Sequence, residues 1–139
     1  MLLYRRLMYE AMDVESLRDF CLALPEVTEC MPFDDTTLVF KVGGKMFLFA
    51  GLESVPLRFN VKCDPDLALV LRDTYPEVVP GYHCNKKYWN TITLHPGLKE
   101  RLVKEWIVHS YTEVVKKMSR AQREHLEKLL TIWKESNGM

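Results

Sequence analysis

The dipeptide Gly43-Gly44, set between two runs of β-forming residues, constrains the fold of this chain more than any other feature. Adjacent glycines accept the positive φ angles that a two-residue hairpin turn demands, and residues 37–42 and 45–50 on either side have the composition of paired strands. A third strand follows at residues 57–62, where Leu57, Phe59 and Val61 alternate with Arg58, Asn60 and Lys62. That period of two is the pattern of a strand with one buried face. In the return strand of the hairpin, Phe47 and Phe49 alternate with Met46, Leu48 and Ala50. Both sides are apolar, which predicts a central strand covered on both faces, or one that leaves an aromatic pair on the outer face. Residues 88–94 read as a further strand, and the stretch 75–87, with two prolines and a glycine, as an ordered loop.

Helices bracket these strands. Asp13 is an N-cap for a helix over residues 13–24 that Pro25 ends, and Val14, Leu17, Phe20, Cys21 and Leu24 recur along it at helical spacing. Asp64-Pro65 supplies an N-cap and a first-turn proline for a short helix over 65–73. Residues 97–116 carry Leu102, Val103, Trp106, Ile107, Tyr111 and Val114 on one face. Ser119, followed by Gln122, starts a last helix with Leu126, Leu129, Leu130 and Trp133 as its apolar stripe. Helices segregated from an antiparallel sheet define an α+β class, with two layers and the helices on one face of the sheet.

The chain has 139 residues, of which 47% are apolar, enough for one core but not two. We therefore expect a single domain over residues 13–139, preceded by an N-terminal extension, 1–12. Formal net charge is zero, which argues against non-specific coating of DNA. The distribution is uneven: residues 13–36 hold seven acidic side chains and one basic, while residues 37–62 hold Lys41, Lys45, Arg58 and Lys62 against Glu53. Cys21, Cys30, Cys63 and Cys84 include no CxxC pair, and no signal peptide or apolar run of membrane-spanning length is visible. The expectation is a cytoplasmic, monomeric protein with free thiols and no contact with a membrane.

Catalytic patterns are missing. There is neither a GxSxG elbow, a phosphate-binding glycine loop nor an HExxH helix. His109, Ser110 and Tyr111 are neighbours in a helix, so their side chains point apart. His83, Cys84, Cys63 and Asp64 carry donor atoms but lack the paired spacing of a zinc site, and a structural role is expected for them. Glu15, Asp19, Glu26, Glu29, Asp34 and Asp35 form an acidic region that reads as a solvated face, or as a site for a hard cation or a basic partner. No catalytic residue, metal or cofactor is expected, and the chain does not read as an enzyme.

Six short stretches, taken in order, resemble one family. They are residues 21–29 (CLALPEVTE), 39–47 (VFKVGGKMF), 62–65 (KCDP), 80–83 (PGYH), 87–91 (KYWNT) and the pair Ser110-Tyr111. Each is weak alone; together they are similar to the MmcQ/YjbR family over roughly residues 13–123. The resemblance implies a frataxin-like (CyaY-like) fold with a double-wing arrangement of hairpins, and a DNA-binding role attached to that arrangement. A fold-level likeness does not decide function, so the residues must carry the case.

If the apolar sides of all strands meet the helices, the opposite face gathers Trp89, Arg58, Asn60, Lys62 and Lys41. A ring among cations and amides suits nucleic acid, because bases stack on the ring while cations meet phosphates. Lys45, Lys86 and Lys87, at hairpin and loop ends, would follow the backbone. The same face suits a protein-interaction or regulatory adaptor, since Trp and Arg anchor protein interfaces. It also reads as an ordinary solvated face with Trp89 packed on aliphatic stems. The expected partner is DNA or another nucleic acid, with a protein as the alternative.

Overall fold

A computed structural model describes residues 12–82 and 84–139 of the chain. The expected extension, residues 1–12, lies outside that range except for Met12, which is buried in the core. His83 lies outside it as well.

The first helix, α1 (Val14–Ala23), starts at a reciprocal cap: Asp13 accepts from Ser16 N–H at 2.8 Å and the Ser16 hydroxyl accepts from Asp13 N–H at 2.9 Å. Strands β1 (Val27–Cys30), β2 (Thr37–Val42), β3 (Lys45–Gly51) and β4 (Arg58–Lys62) follow. Gly43 and Gly44 make the β2–β3 turn with φ of 56° and 76°, the left-handed values that favour glycine. Helix α2 (Pro65–Thr74) is capped by the Asp64 carboxylate and has Pro65 in its first turn. Strands β5 (Val78–Pro80) and β6 (Trp89–Thr93) then precede α3 (Glu100–Val115) and α4 (Arg120–Ser136).

All six strands form one antiparallel sheet in the order β1-β2-β3-β4-β6-β5. Two of them depart from the sequence expectation. Part of the segment read as a loop, 75–87, is β5, and residues 27–30 form β1. Both are short edge strands, too brief for alternation to mark them, and a strand neighbour on one side supplies their hydrogen bonds.

The core lies between the sheet and the helices. Phe40, Leu48, Ala50, Phe59, Val61 and Ile92 point from the strands to Leu17 and Cys21 of α1, Val103, Ile107 and Tyr111 of α3, and Leu126 and Leu130 of α4. Helices thus occupy one face of the sheet, making two layers. Phe47 and Phe49 divide between the two faces. Phe47 stands edge-on to the Tyr111 ring in the core, with centroids 5.6 Å apart, whereas Phe49 is half-buried on the other face. A register shift between Phe40 and Lys41 lets the neighbours Phe47 and Leu48 both be fully buried.

One helix residue ties the layers together. Ser110 is fully buried on α3; its hydroxyl donates to Phe47 O and accepts from Lys62 N–H at 2.8 Å. The β3–β4 ladder stops at Leu48↔Val61, one step short of these two residues. The serine hydroxyl therefore fills the gap where the strands part, and satisfies both backbone groups. Next to it, the Tyr111 hydroxyl donates to Pro25 O at 2.8 Å, holding the end of α1.

Candidate functional site

Strand register decides which side chains share the helix-free face. Directly opposed residues of neighbouring antiparallel strands lie on the same side. Arg58 is opposite Thr93, Asn60 opposite Thr91, and Lys62 opposite Trp89; Phe49 faces Asn60 and Val79 faces Thr91. This outer face carries a groove of about 570 Å³. Asn60 and Thr91, 8% and 5% exposed, lie in its floor beside Phe49. Arg58, Val79 and Tyr82 stand along its sides. No helix residue contributes to its described lining.

A hydrogen-bonded chain organises the floor. Tyr82 N–H donates to the Thr91 hydroxyl at 2.9 Å, and that hydroxyl donates to Asn60 Oδ1 at 2.5 Å. The turn after β5 is thereby tied to β4. The Asn60 amide nitrogen has one long contact, 3.5 Å to Phe49 O. Beside the groove, the Phe49 and Trp89 rings lie with centroids 5.6 Å apart and planes inclined by 53°.

The seven basic and aromatic residues singled out in the sequence do not make one patch. Arg58, exposed at the groove, and Trp89, half-buried against Phe49, share the outer face. Asn60 shares it too, but is buried rather than solvated, in the groove floor between Thr91 and Phe49, to both of which it is hydrogen-bonded. Lys62 stands opposite Trp89 in register, yet it also lines a second hollow of about 370 Å³ with Lys45 and Lys117, beside Ser119 and Gln122 at the start of α4. No described carboxylate pairs with Lys45 or Lys62. Lys41 lies opposite Thr28 of β1, three strands from Trp89. Lys86 donates to Gly81 O at 3.3 Å, and the Lys87 ammonium sits 5.4 Å from the centroid of the Tyr88 ring.

Two contributors were missing from the residues singled out in the sequence. Phe49 was read as core, with an aromatic pair on the outer face as the alternative; the structure splits the pair, with Phe47 in the core and Phe49 beside Trp89. Arg72 of α2 reaches the strand bearing Trp89 from the helix side. It donates through Nε to Asn90 Oδ1 at 2.7 Å and through Nη2 to Trp89 O at 3.2 Å and to Lys86 O. Arg72 thus fixes both the start of β6 and the loop before it.

Polar groups on the helix side are engaged in structure. His109 accepts from Asp64 N–H through Nε2 at 3.1 Å, and burial holds its pKa below the usual value for histidine. That ring nitrogen also lies 3.5 Å from Glu113 Oε1, but a neutral ring accepting at Nε2 has no proton there to give, so Glu113 serves Lys116 at 3.0 Å. Burial, together with the charges of Asp64 and Glu113, pushes the Cys63 thiol up to about 12, away from a nucleophilic thiolate. In the acidic region, Arg18 pairs with Glu29 and holds its carboxyl below the usual range, Asp34 accepts from Thr36 N–H, and Glu26 meets His125 at 3.0 Å. Among the described residues, no three His, Cys, Asp or Glu side chains are grouped to hold a metal ion.

Comparison with known proteins gives a consistent family. The sequence model of the YjbR family matches residues 22–113. The Escherichia coli O157:H7 protein YbdF is 37% identical over 122 residues, covering 83% of this chain and 98% of its own. The protein YjbR of Escherichia coli K12 is 28% identical over 120 residues, covering 85% of this chain and all of its own. Both are described only as uncharacterized. Among solved structures, Deinococcus radiodurans DR2400, assigned to domain family DUF419, superposes with a TM-score of 0.77 at 41% identity over 82% of this chain and 87% of its own. A Pseudomonas syringae protein superposes at 0.62 with 21% identity over 71% of this chain and 96% of its own, a likeness of fold.

Proposed function

The chain belongs to the YjbR family, and on that footing we propose that it is a nucleic-acid-binding domain that works through the outer face of its sheet. The observation that carries this reading is the Phe49–Trp89 ring pair on the same face as exposed Arg58, a face whose groove no described helix lines. Stacking of a base on an aromatic side chain stabilises a complex by ~1–3 kcal/mol per base, and cations nearby exchange counterions with phosphates. In this reading the α+β arrangement is frataxin-like, with the β2–β3 and β5–β6 hairpins as its two wings; Lys45, Lys86 and Lys87 follow the nucleic-acid backbone from hairpin and loop ends, and Lys41 and Lys62 meet phosphates. The four cysteines, all unpaired, fit the reducing conditions of the cytoplasm. The role is that of a binding module rather than an enzyme.

A protein-interaction adaptor using the same face is the second reading. It is favoured by Tyr82 and Val79, which stand 67% and 45% exposed at the groove and resemble the anchors of protein interfaces.

Fluorescence anisotropy at low salt, with labelled single- and double-stranded oligonucleotides, tests the first reading. We expect saturable binding that weakens with added salt, in Lys62→Glu and in Trp89→Ala. A flat titration with both oligonucleotides refutes it. Protein capture that survives nuclease treatment but is lost in Trp89→Ala favours the adaptor.

A further inference from the structure

The groove is more selective than a basic face requires. It is a concave site of about 570 Å³, within the range of roughly 300–1,000 Å³ typical of small-molecule sites. Its floor is apolar and aromatic at Phe49 and polar at Asn60, and a single guanidinium, that of Arg58, stands at its side with no carboxylate in the described lining. A phosphate-tracking surface needs none of the floor.

Asn60 is the informative residue. It is more than nine-tenths buried, yet its two amide N–H groups share only the contact at 3.5 Å to Phe49 O, the outer limit of a hydrogen bond. The Thr91 hydroxyl occupies its oxygen at 2.5 Å. Because Thr91 in turn accepts from Tyr82 N–H, the hydroxyl proton is directed at Asn60, which leaves the amide with its oxygen on Thr91 and its nitrogen free to donate. A buried donor without a good acceptor is costly, and buried side-chain polar groups are as a rule satisfied. A ligand acceptor in the groove would complete it.

From these observations we infer that the groove is a nucleotide pocket: a planar base lies against Phe49, a carbonyl oxygen or ring nitrogen on the base accepts from the Asn60 amide, and the attached phosphate meets Arg58. This rests on the nucleic-acid reading and sharpens it. A base inside a duplex is stacked and paired, so a pocket that takes one base selects single strands or free nucleotides.

Two ligand sources share this chemistry, and the experiment separates them. Wild type, Asn60→Asp and Arg58→Gln are titrated with a mixed-sequence 12-nucleotide single strand, its duplex and the four nucleoside monophosphates, with fluorescence anisotropy of labelled probes as the readout. Asn60→Asp keeps the side-chain shape but replaces the donor by an acceptor, and a thermal melt checks its fold. Arg58→Gln changes an exposed site and preserves the test if Asn60→Asp unfolds. We expect the single strand to bind at least about tenfold tighter than the duplex, Asn60→Asp to lose about tenfold or more, in line with one lost base contact, and Arg58→Gln to weaken binding and flatten its salt dependence by about one counterion. Saturable binding of monophosphates with no gain from the oligonucleotide supports the pocket and overturns strand binding as the function. Equal affinity for single strand and duplex, or oligonucleotide binding unchanged in Asn60→Asp and Arg58→Gln, overturns the pocket and leaves nucleic-acid binding standing. No binding of any probe overturns both.

Discussion

Replacing Ser110 by alanine isolates the contact on which the sheet's parting edge depends. The hydroxyl serves two backbone groups, Phe47 C=O and Lys62 N–H, at a point where the β3–β4 ladder has stopped and the residue itself is fully buried. A buried polar group left unsatisfied costs ~1–3 kcal/mol. Two such groups give roughly 2–6 kcal/mol by the same scale, less whatever the strands recover by closing the missing step of their ladder. A net loss of about 2–4 kcal/mol is therefore expected, a large share of the ~5–15 kcal/mol that holds a domain of this size together. In urea unfolding, with a slope of ~2 kcal/mol per molar, the middle of the range for small proteins, the midpoint should fall by about 1–2 M at unchanged slope. Native-state hydrogen exchange at the Lys62 amide should quicken at the same time. A loss below about 0.5 kcal/mol, with the Lys62 amide still protected, would show that β3 and β4 simply close on each other, and would refute the staple.

Three further outcomes follow from the same contacts. Tyr111→Phe removes the hydrogen bond to Pro25 O while keeping the ring against Phe47; a loss of ~0.5–1.5 kcal/mol is expected, and a melt identical to wild type would contradict it. Arg72→Met keeps most of the aliphatic stem but strips the donors from Asn90, Trp89 and Lys86; exchange of the amides in residues 84–89 should accelerate well before global unfolding, and uniform exchange across the chain would count against Arg72 as the anchor of that loop. His109 has a folded pKa depressed by burial, below the ~6.5 of an exposed ring. The unfolded chain then binds the proton more readily, so this contribution is intact above pH 6.5 and is lost as pH falls from there through the folded value. His109→Gln should shallow the decline of stability below pH 6.5, and an unaltered pH profile would refute that assignment.

The MmcQ/YjbR motifs acquire physical meanings that their letters did not carry. Ser110-Tyr111 is a structural pair: one side chain spans the gap between β3 and β4, the other clasps the end of α1. The 87–91 stretch holds Trp89 on the outer face, while Asn90, one residue on, points to Arg72 on the other. Alternation within β6 is what separates the two.

What the sequence determined by itself is local. Glycine tolerance, carboxylate and hydroxyl caps, and periods of two or 3.6 act over a few residues, so the β2–β3 hairpin, the caps at Asp13, Asp64 and Ser119, and the inward set Leu57, Phe59 and Val61 could be read without coordinates. Tertiary structure decided which strands adjoin. Alternation assigns a residue to one of two faces but is silent on strand order, and an edge strand as short as β5 carries too little periodicity to announce itself. The bond from Thr91 to Asn60 joins residues 31 apart, and it exists because β4 and β6 pair directly. For the same reason Lys62, placed by alternation with Trp89, also lines a hollow with Lys45 and Lys117 at the end of its strand, and the outer face is a groove floored by Phe49, Asn60 and Thr91 rather than an even spread of cations.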